Sequence, residues 1–89
     1  MSSEYRIYGV DTKGRSLLKM TDDLEEAQRI ARRRMSLVRR GTADWLYSMT
    51  EVYRGPALSG RCVMYVQRHM GYRLTERFPV AKQKDYEKN

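Results

Sequence analysis

The feature that most constrains this chain is one amphipathic helical segment, residues 22–40, which lies between stretches with the alternation of β-strands. Asp22 is expected to cap its first turn, with Glu25 closing a capping box, and Gly41 is expected to end it in a left-handed conformation. A helix of this kind has to bury its apolar stripe against another part of the chain. The stripe recurs at three- and four-residue spacing; it consists of Leu24, Ala27, Ala31, Met35 and Val38.

The residues on either side of this helix predict antiparallel strands. Residues 4–21 form two alternating runs around Asp11-Thr12-Lys13-Gly14, which is typical of a hairpin with a type I turn and a glycine bulge. Three later segments are rich in aromatic and β-branched residues; they are residues 44–54, 61–68 and 72–78, separated by a loop at 55–60 and a turn at 69–71. The sequence therefore predicts an α+β fold, with a small antiparallel sheet in ββαβββ order and the helix packed on one face.

Period-two alternation assigns the side chains of each strand to a face. It places Leu17 and Leu18 on opposite faces. In the third strand, one face is predicted to carry Trp45, Tyr47, Met49, Glu51 and Tyr53. In the fourth strand, one face is predicted to carry Cys62, Met64 and Val66, and the opposite face Val63 and Tyr65. The sequence leaves open which sheet face the helix covers, and therefore which tyrosines remain exposed.

With 89 residues, the chain has room for one domain. We expect an ordered core over about residues 4–78 and a frayed tail over 79–89. The single cysteine, Cys62, excludes an internal disulfide framework, and no Cys/His spacing indicates zinc. No signal-peptide pattern and no apolar run long enough for a membrane span are found, so we expect a cytoplasmic protein with no membrane partner.

Catalytic patterns are weak in this sequence. His69 is the one histidine, in a predicted turn, and a strand separates it from Cys62. Helix capping explains the acidic residues at the start of the helix, and cross-strand ion pairs explain Glu51 and Glu76. We therefore predict that the protein is not an enzyme and that it has no catalytic residue, no metal site and no cofactor.

The charge pattern is the strongest functional indication. The formal net charge is +7, from 18 basic and 11 acidic residues, and such an excess favours association with polyanions. Arg makes up 13 of the basic residues, which the codon usage of a GC-rich genome also explains. Five arginines form a predicted basic ridge on the helix and two more extend it; they are Arg29, Arg32, Arg33, Arg39 and Arg40, with Arg54 and Arg61.

The ridge has three interpretations. It contacts nucleic-acid phosphates, it is a solvated helix face, or it docks on the acidic surface of a partner protein. A separate hypothesis places single-stranded nucleic acid on the sheet, because bases stack on rings while cations hold the backbone. That hypothesis competes with a core role for the same tyrosines; the residues are Tyr47, Tyr53, Tyr65 and Tyr72, with Arg54, Arg61, Arg68, Arg73 and Arg77.

The hairpin and the helix start, residues 8–15 and 22–27, resemble the arm-binding domain of phage and transposon integrases. That family places three strands before its helix and inserts the sheet in the major groove. Only two predicted strands precede the helix here, so no function is carried over from the resemblance. The size and arginine bias also resemble the small proteins that phages of GC-rich bacteria encode.

The sequence thus predicts a nonenzymatic binding domain whose leading partner is nucleic acid, DNA or RNA. The alternative is a small protein-interaction module, an inhibitor or adaptor, that docks on an acidic surface. A homo-oligomer formed through an edge strand or through a face bearing Trp45 and Tyr47 is a third possibility.

Overall fold

The computed structural model describes residues 4–42, 44–56, 60–70 and 73–79 of the chain. Its strands pair antiparallel in the order β2-β1-β3-β4-β5, and the helix lies between β2 and β3 in sequence. This confirms the predicted α+β fold; most of the predicted tail, residues 80–89, lies outside the described residues. The elements are β1 (Tyr5–Asp11), β2 (Gly14–Thr21), α1 (Leu24–Arg34), β3 (Met49–Arg54), β4 (Arg61–Arg68) and β5 (Leu74–Arg77).

The β1–β2 hairpin forms as its turn residues predict. The Asp11 carboxylate accepts a hydrogen bond from the Lys13 backbone N–H at 2.7 Å, and Gly14 adopts a φ of 119°, which favours glycine. A bulge in β2 sets Leu17 opposite Tyr8. Leu17 remains exposed while Leu18 packs against the core, so the two leucines lie on opposite faces as predicted.

Helix α1 begins one residue later than its capping box predicts. Asp23 is the N-cap, and its carboxylate accepts a hydrogen bond from the Glu25 backbone N–H at 3.0 Å. This bond satisfies a backbone donor that the first turn leaves free. The prediction of Asp22 as the cap is therefore wrong by one position.

Helix α1 also ends earlier than predicted, at Arg34. Met35 N–H bonds to the Arg32 carbonyl, and the Ser36 hydroxyl donates to the Arg33 carbonyl at 2.7 Å, which tightens and closes the last turn. Beyond this point the backbone pairs with a later segment, because Leu46 N–H donates to the Leu37 carbonyl and Arg39 N–H to the Asp44 carbonyl.

This short pairing changes the role of the residues after the helix. Gly41 has a φ of 79°, but it serves the turn between the paired segments rather than the C-terminus of α1. Val38 forms an isolated bridge with Trp45 and is 45% exposed. The predicted Gly41 cap, and the placement of Val38 on the buried stripe, are therefore wrong.

The core lies between α1 and one face of the sheet. Ala27 and Ala31 on the helix are fully buried, and their small side chains allow the helix backbone to lie close to the sheet. The buried Thr50 hydroxyl donates to the Ala31 carbonyl at 2.8 Å, which ties the helix to β3 and satisfies a polar group inside the core. The buried apolar residues are Tyr5, Ile7, Ala27, Ala31, Met35, Val52, Met64 and Val66.

The segment before β3 is not an extension of that strand. Residues 44–48 are irregular, and the Ser48 backbone N–H donates to the Val10 carbonyl at 2.9 Å. Tyr47 packs against the core over Gly9, and Trp45 stacks with Arg68. The predicted grouping of Trp45 and Tyr47 with Glu51 and Tyr53 on one face is therefore wrong.

A register shift in β4 overturns a second face assignment. Val52 lies opposite Met64, but Tyr53 lies opposite Cys62, so Val63 is an extra residue in the bulge. Val63 packs against the core, while Cys62 lies beside Tyr53 on the other face. The prediction that Cys62 shares a face with Met64 and Val66 is therefore wrong.

Candidate nucleic-acid interface

The predicted basic ridge is real only over the length of α1. Arg29 and Arg33 are exposed one helical turn apart, where side chains four residues apart are neighbours. No ion pair from the described part of the chain neutralises either guanidinium. Further along, a shallow depression of about 260 Å³ joins the helix to edge strand β2. Its lining consists of Lys19, Ile30, Arg33, Arg34 and Leu37.

We call the cationic residues of this region the α1–β2 basic surface; they are Lys19, Arg29, Arg33 and Arg34. Lys19 and Arg34 were not among the predicted site residues. The pairing of β2 with the sheet supplies Lys19, which helical periodicity alone does not reveal. The surface combines charges from two elements, so it is wider than a single row of arginines on a helix.

Arg32 is exposed on the same helix but is held by an ion pair. Its Nε and Nη2 donate to the two carboxylate oxygens of Glu76 on β5, at 2.8 and 3.0 Å. These bonds raise the pKa of the Arg32 guanidinium above its ordinary value. Since Glu76 already neutralises this charge, Arg32 offers a phosphate less than Arg29 or Arg33 does.

Arg39 and Arg40 do not continue the helical ridge, because α1 ends at Arg34. Both side chains are exposed in the turn that follows. Arg39 lines a cleft of about 240 Å³ beside Trp45 and Tyr47. The prediction that Arg39 and Arg40 belong to the basic ridge on the helix is therefore wrong.

Arg54 and Arg61 lie on the sheet rather than on the helix. They are paired opposite one another where β3 ends and β4 begins, and both are exposed. Arg54 also makes a contact within the protein. The structure thus distributes the seven predicted arginines over the helix, the following turn and one end of the β3–β4 pair.

The sheet face opposite α1 carries a second concentration of aromatic and basic side chains. Strand alternation fixes this face, because Ile7, Val52 and Val66 point toward α1 while their neighbours point away. No helix among the described elements packs on it. We call it the open sheet face; it includes Arg6, Tyr8, Arg15, Leu17, Glu51, Tyr53, Cys62, Tyr65 and Arg77.

The centre of the open sheet face is a cluster around Glu51. The Tyr8 and Tyr53 rings meet edge to face, with centroids 5.5 Å apart and planes at 89°. The Arg15 guanidinium lies 5.7 Å from the first centroid and 5.4 Å from the second, within the range of cation–π attraction. These side chains leave Glu51 only 7% exposed.

The Glu51 carboxylate pairs with Arg15, whose Nε lies 2.9 Å from Oε1. The angles do not make this contact a hydrogen bond, so Oε1 remains without a hydrogen-bond donor. The pair therefore acts through charge, and it holds the Arg15 guanidinium beside the two rings. Half of the Arg15 side chain remains accessible.

Burial and the nearby Glu51 charge govern the titration of this cluster. Burial raises the pKa of the Cys62 thiol, and the negative charge of Glu51 raises it further. The same two causes, in the same order, raise the pKa of the Tyr53 hydroxyl. A thiol that stays protonated is a poor nucleophile, so the geometry does not activate Cys62.

The predicted separation of Cys62 from His69 is confirmed. Cys62 is the second residue of β4 and His69 follows its last residue, about 23 Å away for an extended chain. His69 Nε2 instead lies 2.7 Å from the Thr75 hydroxyl. Within the described ranges, no group of acidic, histidine and cysteine side chains is placed to hold a metal ion.

The predicted stacking residues are divided between three places. Tyr53, Tyr65 and Arg77 lie on the open sheet face, Tyr47 packs against the core, and Tyr72 lies outside the described residues. Sequence reasoning missed Tyr8 and Arg15, although the alternation of Tyr8 with the apolar residues Ile7 and Gly9 already assigned that ring to the other face.

Arg68 is a structural residue rather than a surface cation. Its guanidinium lies 4.0 Å from the centroid of the Trp45 ring, and it donates to the Met35 carbonyl just beyond α1. It thereby fastens the end of the helix to β4.

No described helix is long and apolar enough to cross a membrane.

Comparisons with known proteins give no family to which the chain can be assigned. No family model, no curated protein and no solved structure matches it. None of these comparisons supports the resemblance to integrase arm-binding domains.

Proposed function

We propose that this chain is a nonenzymatic nucleic-acid-binding domain that contacts phosphates through the α1–β2 basic surface. The observation that carries the proposal is the convergence of Arg33 and Arg34 on α1 with Lys19 on β2 around one depression. Arg29, one turn before Arg33, extends this surface along the helix.

Phosphate binding accounts for these charges better than solvation alone. Cations clustered on one surface repel one another, and a phosphate backbone relieves that repulsion while releasing counterions. Arg32 provides an internal comparison, since Glu76 neutralises it while no described acid pairs with Arg29 or Arg33. Arg40 and Arg61 are exposed and add to the general attraction for a polyanion.

An acidic protein partner is the second candidate function. The depression has an apolar floor, formed by Ile30 and Leu37 between its cations. Such a floor accepts an apolar side chain from an acidic segment, whereas a phosphate backbone makes no use of it. Ile30 also packs against the core, so Leu37 is the residue to test: we expect Leu37→Ser to weaken the binding of a protein partner and to leave nucleic-acid binding almost unchanged.

The experiment is a salt titration of binding, measured by fluorescence anisotropy with labelled 20-nucleotide DNA and RNA, single-stranded and duplex. The slope of the logarithm of the association constant against the logarithm of salt concentration is negative. In the double variant Arg29→Gln/Arg33→Gln we expect this slope to become shallower by about 1.4 for single strands and by about 1.8 for duplex. The control variant Lys13→Gln/Arg73→Gln removes the same charge from two exposed positions outside the α1–β2 basic surface and keeps a slope close to that of the wild type.

Two results contradict the proposal. The first is the absence of any binding at micromolar protein and low salt. The second is an equal loss of slope in both double variants, which indicates attraction by net charge without a defined surface. Thermal melts of each variant establish that the fold is retained, because exposed charge changes of this kind alter stability little.

A further inference from the structure

We infer that the open sheet face binds single-stranded nucleic acid by stacking unpaired bases on its tyrosine rings. The inference rests on the proposed function, which supplies attraction for a polyanion, and it adds the strand state that the protein prefers. Its starting point is that three tyrosines lie together on the face that α1 does not cover; they are Tyr8, Tyr53 and Tyr65.

The strand register places two of these rings in one row across the sheet. Tyr8 lies opposite Glu51, Glu51 opposite Tyr65, and Tyr65 opposite Arg77. Adjacent strands are about 4.8 Å apart, so Tyr8 and Tyr65 stand about 10 Å apart across β3. Tyr53, two residues from Glu51 along β3, adds a third ring to the same patch.

The cations of the open sheet face complement a phosphate backbone that crosses these rings. Arg77 lies on edge strand β5, opposite Tyr65 of β4, and is exposed at one end of the row. Arg15 on edge strand β2 is paired with Glu51, so it offers a phosphate less than Arg77 does, but half of its side chain stays accessible beside Tyr8 and Tyr53. Rings between two basic edges are the combination that holds single strands without sequence readout.

This occupant fits better than duplex DNA or a second copy of the chain. Bases in a duplex are stacked on each other and present no free ring face to a sheet. Self-association through this face brings Arg15 and Arg77 of two copies together, and like charges at an interface are unfavourable. A single strand supplies both the opposite charge and the unpaired rings.

Cys62 provides a native reporter for this face. It lies opposite Tyr53 and is the one cysteine of the chain, so thiol labelling reports on this position alone. A strand bound on the open sheet face shields Cys62 from a maleimide reagent. A strand bound only to the α1–β2 basic surface leaves its labelling rate unchanged, because that surface lies on the other side of the sheet.

The experiment measures the rate of Cys62 labelling in the full chain with saturating single-stranded DNA, single-stranded RNA or duplex DNA. Either single strand slows labelling several-fold, and the duplex does not; the two single-stranded arms show whether one sugar is preferred. Tyr65→Leu weakens single-strand binding about five- to 150-fold, which is the range for loss of one stacked base. Tyr65→Phe keeps the ring and binds like the wild type.

The outcomes separate this inference from the proposed function. Single-strand binding that leaves Cys62 unshielded and is indifferent to Tyr65→Leu overturns the inference while the proposed function stands. Absence of binding by any nucleic acid overturns both. Shielding that rises with protein concentration alone indicates a second copy on this face and also overturns the inference.

Discussion

The two faces of the sheet differ in composition, although every strand contributes to both. The face toward α1 is apolar and closely packed, and small helix residues such as Ala27 and Ala31 allow close contact with Ile7 and Val52. The opposite face has aromatic rings and charges around a buried carboxylate, Glu51. A fold that needs only one covered face leaves the residues of the other available for binding.

The comparison also shows that burial has different causes on the two faces. Met64 and Val66 are buried under the helix, and removal of their apolar surface from water stabilises the fold. Glu51 is buried by the rings and by the Arg15 side chain that pairs with it. The first kind of burial stabilises the fold, whereas the second positions charged and aromatic groups at a surface.

The sharpest test of this contrast uses neighbouring residues on β4. Val66 is 1% exposed under α1, and Gln67 is exposed on the opposite face. Val66→Asp places an unpaired charge in the core, at a cost of about 4 kcal/mol or more, and we expect it to unfold a domain of this size. Gln67→Asp, which adds the same charge, changes the free energy of unfolding by less than about 1 kcal/mol.

Urea titrations followed by circular dichroism measure both variants. Similar losses of stability in the two variants contradict the assignment of these residues to a buried and an exposed face.

A smaller effect is expected where Tyr47 packs over Gly9. A Cβ atom at position 9 lies 2.6 Å from the nearest atom of the Tyr47 ring, so Gly9→Ala forces the ring to move. Overpacking of this kind costs about 1–3 kcal/mol of unfolding free energy. In the background of Tyr47→Leu the same substitution costs less, because the obstructing ring is gone.

A double-mutant cycle measured by urea unfolding tests this coupling. Additive effects of Gly9→Ala and Tyr47→Leu contradict the packing described here and favour an extended β3 with Tyr47 on the open sheet face.

The smallest expected change concerns the Cys62 thiol. Glu51 contributes to its raised pKa, so Glu51→Gln lowers that pKa and moves the rise of the alkylation rate to lower pH. Glu76→Gln serves as the control, because Glu76 pairs with Arg32 on the helix side of the sheet. The rate of iodoacetamide reaction is measured against pH for each protein. An unshifted or upward-shifted profile for Glu51→Gln contradicts the placement of Cys62 on the same sheet face as Glu51.

Local sequence patterns predicted the helix, the strands and their order. Most of the features that these patterns missed depend on pairing between distant segments of the chain. The hairpin turn and the middle of the apolar stripe are encoded within a few residues of each position, so spacing was sufficient for Ala27, Ala31 and Met35, whereas Leu24 and Val38 at the two ends of the stripe are exposed. The early end of α1 depends on residues 37–39 pairing with 44–46, and the face of Cys62 depends on a bulge opposite Tyr53. Neither contact has a signature within its own segment.

The sequence predicted that the candidate site is basic, but it did not predict which residues the fold brings together there. Helical spacing identified Arg29 and Arg33, and both are exposed on α1. It also extended the row to Arg40, which the early end of the helix prevents. Lys19 joins the surface only through the fold, and Tyr8 and Arg15 meet Tyr53 only because β1 pairs with both β2 and β3.

The most direct test of the account is a nuclear magnetic resonance titration of the labelled protein with a single strand and with a duplex at low salt. We expect both ligands to shift the side-chain Nε–H signals of Arg29 and Arg33, and only the single strand to shift the backbone signals of Tyr8 and Tyr65 as well. Shifts confined to other regions, or the same shifts on both sheet faces with either ligand, contradict the assignment of separate roles to the two faces.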